Sequence, residues 1–278
     1  MKRIVTIQDI SGVGKCSVTI AQPLISAMGV ECAVLPTAVL STHTMFQGFT
    51  FCDLTPEFEK IADHWASQGI TFDAIYTGYL GSFEQLELVS RFIDRFKGEN
   101  TLVVIDPVMG DHGKLYPGFT PAFAKEMANL CAKADLILPN LTEASFMLDI
   151  PYDDVLTPKK VTAILEALKS KGTPMVSLTG TGFSKGKTGV SLLDDKGLHT
   201  YEHFRQPANF HGTGDLFASV TVGGIMRGLT PFDALCLAAE YTSHTIGETL
   251  ADPTHNTYGV NFESTIPDLI QRLQSALS

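Results

Sequence analysis

Asp215 ends the stretch NFHGTGD, Asn209 to Asp215, which opens a helical segment. Gly212 and Gly214 let successive backbone N–H groups converge on one point, and a helix N-terminus adds positive potential there. Phosphate binds well at such a place. A carboxylate in the middle of it is out of keeping with anion binding alone. Asp215 makes chemical sense as the acceptor of a proton from an attacking hydroxyl, with the flanking amides stabilising a phosphoryl group in transit. An aspartate just ahead of Leu216 can equally cap the helix, and on these residues alone capping and catalysis stand about even.

Five further stretches place polar groups directly after apolar runs: QDISGVG from Gln8, LSTHT from Leu40, TGYLGS from Thr77, DPVMGD from Asp106 and LPNLTEA from Leu138. The first leads into SGVGKCS, Ser11 to Ser17, which looks like a phosphate cradle. A P-loop requires G-x-x-x-x-G-K-[ST], with a glycine to open the loop and a hydroxyl for Mg²⁺. Asp9 stands five positions before Gly14, and Cys16 follows Lys15, so two fixed positions fail. Nucleotide phosphates are therefore expected elsewhere.

The elements that must hold these residues alternate along the chain. Candidate strands cover 3–8, 32–37, 72–78, 101–107, 135–140 and 174–180, each a nearly continuous apolar run of the kind buried in a parallel sheet. Amphipathic segments lie between them, from Thr55 to Gly69, Phe83 to Gly98 and Thr157 to Gly172, each stopping at glycine. From Gly189 to Phe204 the alternation suits two antiparallel strands around a turn at Asp195–Gly197. Long helical segments follow. The expectation is an α/β fold, a three-layer α/β/α single domain over residues 1–278 with a mostly parallel central sheet and ligands at the carboxyl ends of the strands.

Composition narrows the partners. Of 278 residues, 44% are hydrophobic and 18% charged, enough for a full core. A formal net charge of −10 argues against nonspecific nucleic-acid or anionic-membrane binding. The five cysteines are scattered without a C-x-x-C pair, which fits reduced thiols in a cytoplasmic protein. No apolar run reaches the length of a membrane span.

HGTGD followed by LFAS resembles the C-terminal signature of the ribokinase-like kinases, whose aspartate is the base. Within that superfamily the chain is similar to the pyridoxal (vitamin B6) kinases. LSTHT, YTGYLGS, IDPVMGD, LPNLTEA and GTGD stand in the order those enzymes show, over nearly the whole chain. The resemblance implies ATP-dependent phosphorylation of the 5′-hydroxymethyl group of pyridoxal, pyridoxamine or pyridoxine by a cytoplasmic homodimer. It implies Asp215 as base and Gly212, Thr213 and Gly214 as anion hole. Asp9, His43, Thr44 and Tyr79 would meet the substrate. Asn140, Glu143, Thr179 and Asp111 would meet ATP, with Asp106, Asp111 and Glu143 on the side of Mg²⁺ and 111–119 as a flap. Whether a monovalent cation is also needed stays open. Asp9 is the departure, since the familiar B6 kinases carry serine after this glutamine; it either faces the pyridine ring or serves the following turn. Hydroxymethylpyrimidine kinases share the fold. The alternatives are such a kinase, or a non-catalytic B6- or nucleotide-binding protein on the same scaffold.

Overall fold

The computed structural model describes residues 1–278, which form two compact units: Met1–Ala74 with Arg205–Ser278, and Ile75–Phe204. The fold is α/β, a mostly parallel sheet with helices on both sides.

The first unit begins with β1 (Arg3–Ser11), α1 (Val18–Ala27), β2 (Glu31–Leu40), β3 (Phe51–Asp53) and α2 (Thr55–Ser67). The expected apolar strands at 3–8 and 32–37 are present and longer. β1 and β2 pair in parallel, and the short β3 runs antiparallel to β2. Their register slips once: Gln8 lies opposite Pro36 but Ile10 opposite Val39, with Asp9 inside the slip. Such irregularities re-aim side chains beside functional sites.

The second unit holds β4 (Ala74–Thr77), α3 (Phe83–Phe96), β5 (Leu102–Ile105), β6 (Gly110–Asp111), β7 (Lys114–Leu115), α4 (Pro121–Cys131) and β8 (Leu136–Ile137). It continues with α5 (Leu141–Leu148), α6 (Pro158–Lys169), β9 (Met175–Thr179), β10 (Lys187–Leu193) and β11 (Leu198–Phe204). Its strands run in the order β4-β5-β8-β9-β10-β11. β5, β8 and β9 are parallel, and β10–β11 is the expected antiparallel pair. Here α3 starts on a Ser82 side-chain cap and α6 on a Thr157 cap.

The chain returns to the first unit through α7 (Thr213–Arg227), α8 (Pro231–Ala251) and α9 (Phe262–Leu277). One apolar cluster joins Ile20 and Leu24 of α1 and Met28 just after it to Leu216 and Val220 of α7, with Leu237 and Tyr241 of α8 and Leu269 of α9. Full burial of each such aliphatic side chain stabilises the fold by ~1.5–3 kcal/mol. Gly223 makes the close approach possible, because a Cβ there would lie 2.6 Å from Met28 Sδ. This packing fixes the N-termini of α1 and α7. No helix is long and apolar enough to cross a membrane.

Candidate active site

In the first unit, the α7 N-terminus is set by glycine geometry. Gly212 is its N-cap at φ 80° and ψ 0°, and no side chain caps the helix. Asp215 sits in the first turn, past the cap position, so the capping alternative drops out. The first N–H groups of any helix lack intrahelical acceptors, which leaves those around Gly212–Asp215 available to an anion. Thr213 adds a side-chain bond from Oγ1 to Phe210 O at 3.1 Å.

Burial pushes the Asp215 carboxyl up to about 7, and the nearby Asp9 pushes in the same direction. The polar backbone of Ser17 pulls the other way. A group poised near neutrality is what a general base requires.

Asp9 is buried, with Oδ1 accepting from Ser17 Oγ at 2.7 Å and Oδ2 from Ser11 Oγ at 2.9 Å. Burial raises its pKa, and the two serine bonds partly offset the rise. The structure thus shows each Asp9 oxygen engaged by a serine hydroxyl of the turn that follows it.

His43 is also buried, and backbone groups take both of its ring nitrogens: Nδ1 accepts from Met45 N at 3.2 Å and Nε2 lies 3.0 Å from Tyr258 O. Its ring packs against Gly14, where an added Cβ would collide with the imidazole, and its centroid is 4.4 Å from that of His211. Burial, with His43 beside it, pushes His211 down to about 4, so the imidazole just ahead of α7 is neutral at physiological pH. Thr44 is exposed on the segment after β2.

The second unit gathers another set. Asn140 caps α5 in a reciprocal box with Glu143: Glu143 N donates to Asn140 Oδ1 at 3.0 Å and Asn140 N to Glu143 Oε2 at 2.8 Å. Met109 N donates to Glu143 Oε1 at 3.1 Å, and Asn140 Nδ2 to Gly110 O at 2.9 Å. Both side chains therefore fasten the start of the β6–β7 hairpin to α5. Burial raises the Glu143 pKa, and the charge of Asp111 adds to it.

The segment expected to be a flap starts with this hairpin. His112 at φ 50° and Gly113 at φ 75° form its tip, the primed turn geometry that matches strand twist. Gly113 N donates to Thr142 Oγ1 at 2.9 Å. Asp111 is exposed and Asp106 buried. Thr179 ends β9 and bridges to Asn140, with its N–H on Pro139 O at 3.0 Å. Tyr79 is half-buried, its ring 5.5 Å from that of Phe119.

Sequence reasoning missed Ser17. Its φ of 50° is rare for a residue with a side chain and costs of order 1–3 kcal/mol, and nothing in a serine's identity announces it.

Lys15 is engaged at the start of α9. Its Nζ lies 2.8 Å from Glu263 Oε2, 3.1 Å from Asn261 Oδ1 and 5.9 Å from the centroid of the Phe262 ring. It pins the turn before α1 to the start of α9. Lys15→Ala should therefore leave ATP affinity within about threefold, where loss of a P-loop lysine would cut it severely. The same change should cost about 1 kcal/mol of stability. Titration calorimetry with an ATP analogue and a thermal melt test both parts, and a large loss of affinity with unchanged stability would restore Lys15 to the nucleotide site.

Comparison with known proteins places the chain among kinases. Residues 24–260 match the family described as phosphomethylpyrimidine kinase. A protein of Bacteroides thetaiotaomicron, described as a phosphomethylpyrimidine kinase and crystallised in one form with pyridoxal, is 40% identical with a TM-score of 0.93 in its other form, covering 96% of this chain and 93% of that one. Pyridoxal kinase from Lactobacillus plantarum is 30% identical with a TM-score of 0.90, over 99% of both chains. A pyridoxal kinase of Aliivibrio fischeri is 29% identical over 84% of each. The α/β fold with a glycine-capped helix carrying a half-buried aspartate defines a kinase of the ribokinase-like class. The chain belongs to the phosphomethylpyrimidine kinase family within it.

Proposed function

We infer that this kinase transfers the γ-phosphoryl group of ATP to the 5′-hydroxymethyl group of pyridoxal, pyridoxamine and pyridoxine. The observation that carries the reading is Asp215, a carboxyl held near pKa 7 at the amide-rich N-terminus of α7. Asp215 takes the hydroxymethyl proton as the new O–P bond forms and the bond from the γ-phosphorus to ADP breaks. The N–H groups of Gly212, Thr213 and Gly214 stabilise the phosphoryl oxygens during transfer. Thr44 offers its hydroxyl to the ring 3-hydroxyl, His43 holds the wall behind it, and Tyr79 gives the pyridine an aromatic contact. Asn140, Thr179 and Asp111 serve the nucleotide phosphates.

Mg²⁺ suits the oxygen donors of this chain. No three His, Cys, Asp or Glu side chains gather into a metal cluster, which fits an ion held by one or two carboxylates and the phosphates themselves. Asp106 and Asp111 would hold it, with Glu143 behind them, and its charge would neutralise the triphosphate. All five cysteines are unpaired, in keeping with a reducing cytoplasm, and a homodimer is the assembly that the B6-kinase resemblance implies.

The family description favours a second reading, phosphorylation of a hydroxymethylpyrimidine. ADP release measured with the three B6 vitamers and with hydroxymethylpyrimidine separates the two. Turnover of the vitamers is expected. Turnover of the pyrimidine alone would overturn the assignment, and ADP release with neither would leave a binding protein.

A further inference from the structure

Two imidazoles pack together in the first unit, and one of them has spent its hydrogen bonds. The rings of His43, after β2, and His211, just ahead of α7, have centroids 4.4 Å apart and are tilted by 42°. Nδ1 of His43 accepts from Met45 N at 3.2 Å, which leaves Nε2 to donate to Tyr258 O at 3.0 Å. The backbone holds the residue as well, with His43 N donating to Val13 O at 3.1 Å. The Phe46 ring, 5.0 Å away, and Gly14 enclose it further. His43 is a fixed ring with no nitrogen left for a substrate.

His211 is the opposite case. It is half-buried, and its ring bonds to no side chain or backbone group of the chain. A neutral imidazole carries one N–H donor and one acceptor nitrogen, and here both are unspent. The other polar side chains of these segments are committed elsewhere. Asp9 is held by Ser11 and Ser17, Lys15 by Asn261 and Glu263, and His255 lies with Nδ1 2.6 Å from Asp252 O.

The place of His211 in the chain indicates which ligand group it meets. It is bonded to Gly212, the N-cap of the helix that carries Asp215, and its ring lies on that of His43, which is bonded to Thr44. In the B6-kinase reading Thr44 meets the ring 3-hydroxyl and Asp215 takes the proton of the 5′-hydroxymethyl group. On the pyridine those two substituents flank position 4, and the His43–His211 pair links the two segments that receive them. Position 4 is where the vitamers differ: an aldehyde in pyridoxal, an aminomethyl group in pyridoxamine and a hydroxymethyl group in pyridoxine. We propose that His211 hydrogen-bonds the substituent at position 4 of the bound vitamer, with the His43 ring as the surface that holds it there. The proposal rests on the B6-kinase reading.

One imidazole serves all three groups. Its N–H donates to the aldehyde oxygen of pyridoxal, and its bare nitrogen accepts from the hydroxyl of pyridoxine or the ammonium of pyridoxamine. The ammonium bond is charge-assisted and the strongest of the three. Burial, with His43 beside it, pushes His211 down to about 4, so the accepting nitrogen stays bare at physiological pH. A side chain that only donates, or only accepts, would exclude one vitamer or another, whereas a neutral histidine admits them all.

The test is kcat/KM of wild type and His211→Phe for pyridoxal, pyridoxamine, pyridoxine and 4-deoxypyridoxine, which carries only a methyl group at position 4, with a thermal melt of each protein. Phenylalanine keeps a ring against His43 and removes both nitrogens. In His211→Phe, kcat/KM should fall about tenfold or more for pyridoxamine and about fivefold for pyridoxal and pyridoxine, but stay within about twofold for 4-deoxypyridoxine. Wild type should itself favour pyridoxine over 4-deoxypyridoxine by about fivefold or more, a comparison that decides the matter should His211→Phe fail to fold. Equal losses for all four compounds in His211→Phe would make His211 a packing residue and overturn the proposal. Equal kcat/KM for pyridoxine and 4-deoxypyridoxine in wild type would overturn it as well. ADP release with none of the four in wild type would remove the B6-kinase reading itself, while turnover of all four, unchanged in His211→Phe, would remove only the part played by His211.

Discussion

Asp215→Asn is expected to lower kcat by ~10²-fold or more, because the amide keeps the carboxylate's shape and cannot take a proton. The KM values should hold, since the N–H groups of the α7 N-terminus are untouched. In the wild type, the acid limb of kcat should fall near pH 7, where burial places the Asp215 carboxyl.

Stability adds a second signature. The folded-state pKa of Asp215 lies above its value in the unfolded chain, so the native state holds the proton more tightly. Wild-type stability from this group is then greatest below about pH 4, the ordinary aspartate range, and falls as pH rises toward 7. Asparagine has no proton to lose. Thermal melts of the two proteins should therefore diverge in favour of Asp215→Asn between pH 4 and 7. Turnover within a few-fold of wild type would exclude Asp215 as the base, and parallel melts would exclude its raised pKa.

The framework of the fold was legible where burial imposes a period. β1, β2 and β9 lie under apolar runs, and α3 and α6 begin at capping residues beside amphipathic faces. The elements that escaped are short. β3 has three exposed residues, and β6 and β7 have two each, too few to show alternation. What holds the β6–β7 hairpin is a set of bonds from Glu143, Asn140 and Thr142, which no local pattern displays. Asn140 and Glu143 do carry a capping-box spacing, and the structure shows that spacing in use.

For the site, residue types pointed to stretches of the chain but not to the partners of their side chains. Lys15 was separable from a P-loop by its neighbours in sequence, yet Asn261 and Glu263, which hold it, lie 246 and 248 positions away. Asp9 stood out as a departure from its relatives. That its oxygens meet Ser11 and Ser17 depends on a turn whose central residue has positive φ, and serine gives no sign of that. The capping alternative at Asp215 fell only when Gly212 proved to be the N-cap. Where α7 begins is a backbone fact decided by the packing of Gly212 against the turn of Lys15.

That packing makes Gly212→Ala the second large effect. A Cβ at Gly212 would lie 2.9 Å from Ile20 Cδ1 and collide with the Lys15 carbonyl oxygen, a backbone atom with no rotamer to yield. The left-handed φ of 80° adds ~1–2 kcal/mol for any side chain. The loss of stability should thus exceed ~3 kcal/mol, with turnover reduced more than ~10²-fold as the amides leave their positions. Gly228, the C-cap of the same helix, provides the control: its φ is 108°, but an added Cβ would meet nothing within 4 Å. Gly228→Ala should cost only ~1–3 kcal/mol and leave kcat near wild type. The difference between the two variants isolates the contact between the α7 N-terminus and the turn before α1. Equal losses of stability, or full turnover in Gly212→Ala, would mean that this turn can move aside and that the anion hole does not depend on the contact.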